Sequence, residues 1–138
     1  MIMTQEDKDL LLKDLCGRLP YGVKCQFNDA VETITEIWFC EDEGWQIDGE
    51  KTSTCIHAVK PYLFPLSSMT DAQKKECNFA DDLDSDILDA ALCTNHYHRT
   101  GVPTVTYNLV DWCIKNHFDF RGLIVKGLAI DATNLNIY

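Results

Sequence analysis

The stretch TITEIWFC, from Thr33 to Cys40, is rich in β-branched and aromatic residues, a composition typical of a β-strand. The acidic turn EDEG follows it and leads into WQID, so these segments predict a hairpin. VKCQF before the hairpin alternates apolar and polar residues, and TCIHAV after it predicts a further short strand. We therefore expect an antiparallel sheet of three to four strands between Val23 and Val59, with one face exposed to water.

The segments on either side of this sheet have other signals. Thr4 followed by Asp7 marks the start of an N-terminal helix, and Pro20 with Gly22 marks its end. On the other side, Pro61 is expected to close the sheet, because the residue before a proline is restricted in conformation. The apolar segment PYLFPLSSMT should then lie extended across the body of the protein.

Three helices are predicted after the sheet. Thr70 and Gln73 form a capping box that opens the first, DAQKKECNF, and the second is DDLDSDILDAALCTNHYHRTG, residues 81–101. The third runs from about Tyr107 to Asn116 and places four residues on its buried side, Leu109, Trp112, Cys113 and Ile114. LIVKGLAIDATNLNIY has room for a short closing strand. Since helices and strands are segregated and no linker is present, we expect an α+β fold in a single domain, 1–138.

Composition narrows the class of protein. The chain has 22 acidic and 12 basic residues and a net charge of -10, which disfavours direct binding to nucleic acid and to anionic membranes but permits a basic protein partner. Its seven cysteines include no Cys-x-x-Cys pair, so we expect reduced thiols and a cytoplasmic protein. No signal peptide, membrane-spanning run or cofactor-binding motif is evident, and no cofactor is expected.

Two segments invite a metal interpretation. Asp82, Asp84 and Asp86 have the spacing of an EF-hand loop, but the loop then needs glycine and glutamate where this chain has Ile87 and Cys93. An acidic helix start explains these aspartates better. In CTNHYHR the candidate zinc ligands are Cys93, His96 and His98, although no second ligand pair at finger spacing accompanies them. Histidines at a helix end are the alternative.

Cys113 and His117 suggest a nucleophilic thiol, because residues four apart are neighbours on one helix face. The competing interpretation is an inert core thiol, since Cys113 shares the apolar stripe of Trp112.

The segment NHFDFRGLI, Asn116 to Ile124, admits two structures. If it is extended, the candidate catalytic residues His117, Asp119 and Arg121 share one face. If the helix ends near Asn116, Asp119 caps a turn and Gly122 adopts a conformation closed to other residues. Arg121 would then pair with an acid, and Phe118 and Phe120 would anchor the turn to the core. We favour this structural corner, because it needs only local partners.

Three blocks carry a resemblance to a known group: LLLKDLCGRLPYGVKC, VKPYLFPLSSMT and DWCIKNHFDFRGLIVKGLAID. They resemble uncharacterised proteins of gut anaerobes and their phages or prophages. The resemblance implies an intracellular protein of a mobile element or its host. It implies no reaction, cofactor or catalytic residue.

Two functions from different classes follow. The first is a non-enzymatic binding or accessory protein with a protein partner, in which acids such as 41–43 and 81–89 present a surface to a basic protein. The second is a small enzyme or ligand-binding domain with a pocket near His117, Asp119 and Arg121. Lys13 or Arg18 would join that pocket only if the first helix packs beside it. What Arg121 contacts discriminates the two functions.

Overall fold

The computed structural model describes residues 3–77 and 107–138. Helix α1 (Gln5–Arg18) begins after Thr4, as predicted, with a capping box in which Asp7 N donates to Thr4 Oγ1 at 3.1 Å and Thr4 N donates to the Asp7 carboxylate. A short 3-10 helix (Leu19–Tyr21) follows, and Gly22 ends it with φ 69°. The left-handed backbone at Gly22 explains why a glycine ends this element.

The first sheet has five strands, β1 (Lys24–Phe27), β2 (Ala30–Thr33), β6 (Val59–Pro65), β7 (Phe118–Asp119) and β8 (Ile130–Asp131). β6 is its centre. It pairs antiparallel with β1, and parallel with both β7 and β8. The two C-terminal strands therefore complete a sheet that the N-terminal half begins.

The second sheet has three antiparallel strands in the order β3 (Glu36–Cys40), β4 (Gly44–Asp48) and β5 (Ser53–Cys55). The chain passes from the first sheet to the second at Ile34 and Thr35. Ile34 N donates to Val23 O at 3.1 Å, whereas Thr35 N donates to Asp48 O at 2.8 Å. Two adjacent amides thus bond to the residue before β1 of the first sheet and to the last residue of β4 in the second.

Two further helices complete the described part of the chain, α2 (Asp71–Cys77) and α3 (Tyr107–Lys115). The capping box of α2 is present, because Gln73 N donates to Thr70 Oγ1 at 3.2 Å and Thr70 N donates to Gln73 Oε1 at 2.8 Å. The helix predicted in 81–101 lies outside the described residues, as does the side chain of Leu109. No helix in the described ranges is long and apolar enough to cross a membrane.

The core forms where α1 packs on the strands. Its members are buried residues of α1, of both sheets and of the C-terminal segment, among them Leu11, Leu15, Val23, Phe27, Ile47, Leu63, Leu123 and Leu128. A second apolar cluster beneath α3 contains Met69, Trp112, Cys113 and Phe118. Trp112 and Cys113 thus occupy the predicted buried side of their helix, and Ile114 is partly buried.

The α+β class, the N-terminal helix and the closing strand are confirmed, but the sheet is larger than predicted. The described residues form eight strands in two sheets, and β6 contributes parallel pairs. The prediction that Pro61 closes the sheet is wrong, since β6 runs through it. Pro61 is tolerated because it pairs with Cys25 of β1, while the parallel partners of β6 begin at Tyr62 and Phe64.

Candidate functional site

The corner segment, residues 116–124, begins where α3 ends. His117 follows the helix with φ 66°, a left-handed backbone that is uncommon for residues other than glycine. Its carbonyl accepts a hydrogen bond from Phe64 N at 2.8 Å, which aligns Phe118 and Asp119 beside β6. The segment is therefore extended over two residues only.

Asp119 caps the turn that follows this strand. Its two carboxylate oxygens accept hydrogen bonds from Leu123 N and Ile124 N, both at 2.9 Å. Gly122 inside the turn has φ 75°, a conformation that side chains disfavour. Asp119 is only 7% exposed, and both of its carboxylate oxygens are used in bonding the backbone. The predicted capped turn and glycine are both present.

Arg121 points away from this turn and joins a buried charge cluster, which we define as Asp14, Arg18 and Arg121. Arg121 Nε donates to Asp14 Oδ1 at 3.1 Å, and Arg18 Nε donates to Asp14 Oδ2 at 2.7 Å. The side chains of Asp14 and Arg18 are fully buried, and that of Arg121 is 20% exposed. One carboxylate therefore holds two guanidinium groups.

Arg18 also links α1 to the corner segment and to α3. Its Nη2 donates to Phe118 O at 2.6 Å, and its Nη1 lies 3.5 Å from Cys113 O. The ring of Phe120 lies beside both guanidinium groups, with its centroid 4.6 Å from Arg121 Cζ and 5.7 Å from Arg18 Cζ. Of the two basic residues predicted to join the corner, Arg18 does so and Lys13 is exposed.

Sequence reasoning missed the burial of Asp14 and Arg18, although a signal was present. Residues 11, 14, 15 and 18 recur at helical spacing, so the acid and the base fall on the stripe of Leu11 and Leu15. Charged residues on such a stripe are buried only when they are paired. The i, i+4 spacing of Asp14 and Arg18, which allows an ion pair on one helix face, was therefore the signal in the sequence.

His117 takes part in a different arrangement. Its ring stacks on Tyr138, with centroids 3.8 Å apart and planes 9° apart. Burial, with smaller contributions from the positive charges of Arg18 and Lys24, lowers the pKa of His117 to about 4. His117 is thus neutral near pH 7, and its buried Nδ1 has no hydrogen-bond partner within 3–77 and 107–138.

Tyr138 fixes this stack to the first sheet. Its hydroxyl accepts a hydrogen bond from Lys24 N at 2.9 Å and donates one to Tyr62 O at 2.8 Å. Burial raises the pKa of Tyr138 above its ordinary value. The hydroxyl therefore remains a hydrogen-bond donor at neutral pH, and it bridges β1 and β6.

An open pocket of about 450 Å³ lies beside the stack. His117, Tyr138, Asn116 and Lys115 contribute to its lining, but Asp119 and Arg121 do not. The three candidate catalytic residues are thus close in sequence without converging on this cavity. Asp119 accepts hydrogen bonds from the backbone, and Arg121 donates one to Asp14. Of these three residues, only His117 lines the pocket. A catalytic role for His117, Asp119 or Arg121 stays a prediction.

The expected helical pairing of Cys113 with His117 is wrong, because α3 ends at Lys115 and His117 has a left-handed backbone. Cys113 is fully buried in the cluster around Trp112. Cys93, His96 and His98, together with Asp82, Asp84 and Asp86, lie outside the described residues. Within the described ranges, no three His, Cys, Asp or Glu residues are placed to hold a metal ion.

The aromatic hairpin, residues 36–48, exposes large apolar side chains. Trp38 is 39% exposed, Phe39 56% and Trp45 39%. Phe39 and Trp45 pack edge to face with centroids 5.2 Å apart. On the other face of the hairpin, Trp38 Nε1 donates to Asp48 Oδ1 at 3.0 Å. All three rings thus keep a defined orientation while they remain open to solvent.

Acidic residues surround these rings. The turn between β3 and β4 consists of Glu41, Asp42 and Glu43, all exposed, and Glu36 is exposed at the start of β3. A groove of about 230 Å³ separates the hairpin from α1, and its lining includes Phe39, Trp45 and Glu43 on one side and Gln5, Lys8 and Asp9 on the other. The hairpin therefore combines aromatic surface with negative charge.

The comparisons with known proteins supply no relative. The chain matches no protein-family model, and neither a curated protein nor a solved structure is significantly similar to it. The geometry of the molecule therefore carries the functional argument.

Proposed function

We propose that the protein is a non-enzymatic binding protein that recognises a basic segment of another protein through the aromatic hairpin. The observation that carries this proposal is the exposure of Trp38, Phe39 and Trp45 on two adjacent strands. Aromatic side chains are enriched at the centres of protein interfaces and among the residues that dominate binding energy. Phe39 and Trp45 pack against each other and expose adjoining apolar surface, which is a mark of interaction sites.

Charge indicates the chemistry of the partner. The turn 41–43 places three acids beside the rings, and the whole chain carries a net charge of -10. Such a surface attracts a positively charged segment and repels an acidic one, which favours rapid association with the former. Arginine suits this surface best, because its guanidinium group both pairs with carboxylates and stacks on aromatic rings.

The corner segment supports a binding function over an enzymatic one. Asp119 accepts two backbone hydrogen bonds, and Arg121 bonds a fully buried carboxylate. Groups that are engaged in this way support a fold, whereas a catalytic constellation needs side chains that converge on a cavity. The engaged state of Arg121 is therefore evidence for the first of the two predicted functions.

The resemblance to proteins of gut anaerobes and their phages or prophages adds a proposal about biology. The partner would be a host or phage protein, and the acids would let this chain act as a decoy that competes with nucleic acid for a basic surface. In that form of the proposal, the basic segment that binds the hairpin is one that otherwise contacts phosphates.

A peptide assay tests the proposal. Short peptides of alternating arginine and valine are titrated into the protein while tryptophan fluorescence is recorded, with glutamate–valine peptides as the charge-reversed comparison. We expect the basic peptides alone to bind, and to bind more weakly as salt rises.

The Phe39→Ser substitution should weaken binding at least tenfold. The matched control is Val125→Ser, which changes a 93% exposed apolar residue outside the hairpin and should leave affinity unchanged. Equal binding of both peptide charges, or equal loss in both variants, would contradict the proposal.

A further inference from the structure

The rings of the aromatic hairpin point to opposite faces of its sheet. Phe39 pairs across the strands with Trp45, and Trp38 pairs with Gln46, so successive β3 side chains alternate between the faces. Ile47, on the face of Phe39, is fully buried. A partner that docks flat against one face could contact Phe39 or Trp38, but not both. A partner that lies along the edge of β3 contacts both.

That edge has no strand partner in the described part of the chain. β3 pairs with β4 on one side, and the sheet order β3-β4-β5 leaves its other side open. Natural proteins protect such edges with proline, lysine, bulges or very short strands, because unpaired backbone groups invite another strand. β3 has five residues, Glu36 to Cys40, and contains neither proline nor lysine.

The other outer strands differ from β3. β5 is only three residues long, and β7 and β8 have two residues each. At β2, Thr33 N donates to Glu50 Oε1 at 3.1 Å, so a side chain satisfies a backbone group beside this strand. The Glu32 carboxylate in β2 also binds the loop 51–52, accepting from Lys51 N at 2.6 Å and from Thr52 N at 3.1 Å. β3 is therefore the edge best suited to accept another strand.

We propose that the outer edge of β3, which has no strand partner among residues 3–77 and 107–138, binds an extended basic segment of the partner, which adds as a fourth strand to β3-β4-β5. This inference rests on the proposed function and gives it a mode of recognition. Backbone hydrogen bonds supply affinity in strand addition, and side chains on alternate positions supply specificity. The added strand would place its side chains against Trp38 on one face and against Phe39 on the other.

The acidic residues at the ends of β3 indicate which residue pattern the bound segment should have. Glu36 begins β3, and Glu41 follows its last residue, so carboxylates stand at both ends of the edge, roughly 17 Å apart along an extended chain. The preferred segment therefore has basic residues at both ends and apolar residues between them. A second copy of this chain fits poorly, because antiparallel pairing of two β3 edges brings Glu36 of one close to Glu41 of the other.

The experiment alters the backbone of the peptide and leaves the protein unchanged. The probe has about seven residues, with arginine at both ends and alternating valine and threonine between, and its termini are acetylated and amidated. One backbone amide at a time is then N-methylated. Since alternate amides of a strand face its partner, methylation at every second position should weaken binding about tenfold, and at the intervening positions less than twofold.

Hydrogen exchange of the protein provides the second measurement. The bound peptide should slow exchange of amides in β3 and leave those of β5 unchanged. A peptide that binds with Phe39→Ser sensitivity, but tolerates methylation at every position, overturns strand addition while the proposed function stands. If the peptide does not bind the wild-type protein at all, both proposals fail. If the protein self-associates and Trp38→Lys abolishes that self-association, the edge binds a second copy of the chain. The proposal of a basic partner segment would then also be overturned.

Discussion

Arg121 and Asp14 are 107 positions apart in the chain, yet Arg121 Nε lies 3.1 Å from Asp14 Oδ1. The same carboxylate binds Arg18, whose Nη2 donates to Phe118 O. Through this one acid, α1 is joined to the corner segment that carries the candidate catalytic residues. A conspicuous polar sequence thus acts as a connection between distant parts of the fold.

Removal of Asp14 should destabilise the protein strongly. In Asp14→Ala the guanidinium group of Arg18 stays buried without its carboxylate, and breaking a buried pair in this way costs about 3–5 kcal/mol. Arg121→Ala removes one charged hydrogen bond from a partly exposed residue and should cost about 1.5 kcal/mol. Urea unfolding of each variant measures both losses.

Lys13→Ala is the matched control for this series, because Lys13 is an exposed residue of the same helix and its loss should change stability by less than about 0.5 kcal/mol. An Arg121→Ala protein that keeps its full stability but loses binding of a ligand would contradict the supporting role and favour a site at the corner.

The unfolding free energy should fall as pH drops from 6.5 towards 4, in part because of His117. The folded protein lowers the pKa of His117 from 6.5 to about 4. Between these values the unfolded chain binds a proton that the folded chain does not, so acid favours unfolding. Well above pH 6.5 the residue is neutral in both states and contributes no pH dependence.

His117→Phe keeps a ring beside Tyr138 and removes the titrating group. Relative to this variant, the wild-type protein should lose stability over the stated pH range, and the two curves of unfolding free energy against pH should run parallel well above pH 6.5. Any constant cost of placing phenylalanine at φ 66° cancels, because only the slope is compared. His57→Gln, at an exposed position, should keep the wild-type slope. Identical slopes in wild type and His117→Phe would sink this prediction.

Gly49 should tolerate no side chain, whereas Gly17 should accept one. A Cβ at Gly49 would lie 2.7 Å from Glu32 Oε1 and 3.1 Å from the Phe27 ring. Glu32 is held by Thr52 and Lys51, whose hydrogen bonds also lower its pKa, so it has little freedom to move. Gly49→Ala should therefore cost about 1–3 kcal/mol through overpacking.

Gly17 lies inside α1, and a Cβ there would meet Ile114 at an ordinary 3.6 Å. Gly17→Ala should raise the unfolding free energy by about 0.5–1 kcal/mol, because glycine is a poor helix former. Thermal unfolding of both variants tests the pair, and a destabilised Gly17→Ala with a neutral Gly49→Ala would refute the packing described at both sites.

Local features of this fold were predictable from the sequence. The capping box at Thr4, the capped turn at Asp119 and the left-handed Gly122 each depend on residues within a few positions. The hairpin of β3 and β4 was also predictable, because its turn and its strands are contiguous. In each case the residues that interact lie in the same short segment of the chain.

Long-range features were not predictable in the same way. The continuation of β6 beyond Pro61 depends on parallel partners that come from residues 118–131. The burial of Arg18 depends on Phe118 O, 100 positions away. The position of β3 at the edge of the described part of its sheet depends on which strands assemble into which sheet. Pairings between residues so far apart follow from the complete fold, and no local pattern in a single sequence indicates them.

The position of β6 has a consequence for the order of folding. β1 precedes β6 in the chain and can pair with it early, but the parallel partners β7 and β8 come only from residues 118–131. During synthesis, residues 62–65 of β6 therefore lack their parallel partners while more than fifty residues are added. The nascent chain is most prone to aggregate in this interval, and a chaperone that covers an extended apolar segment would act there.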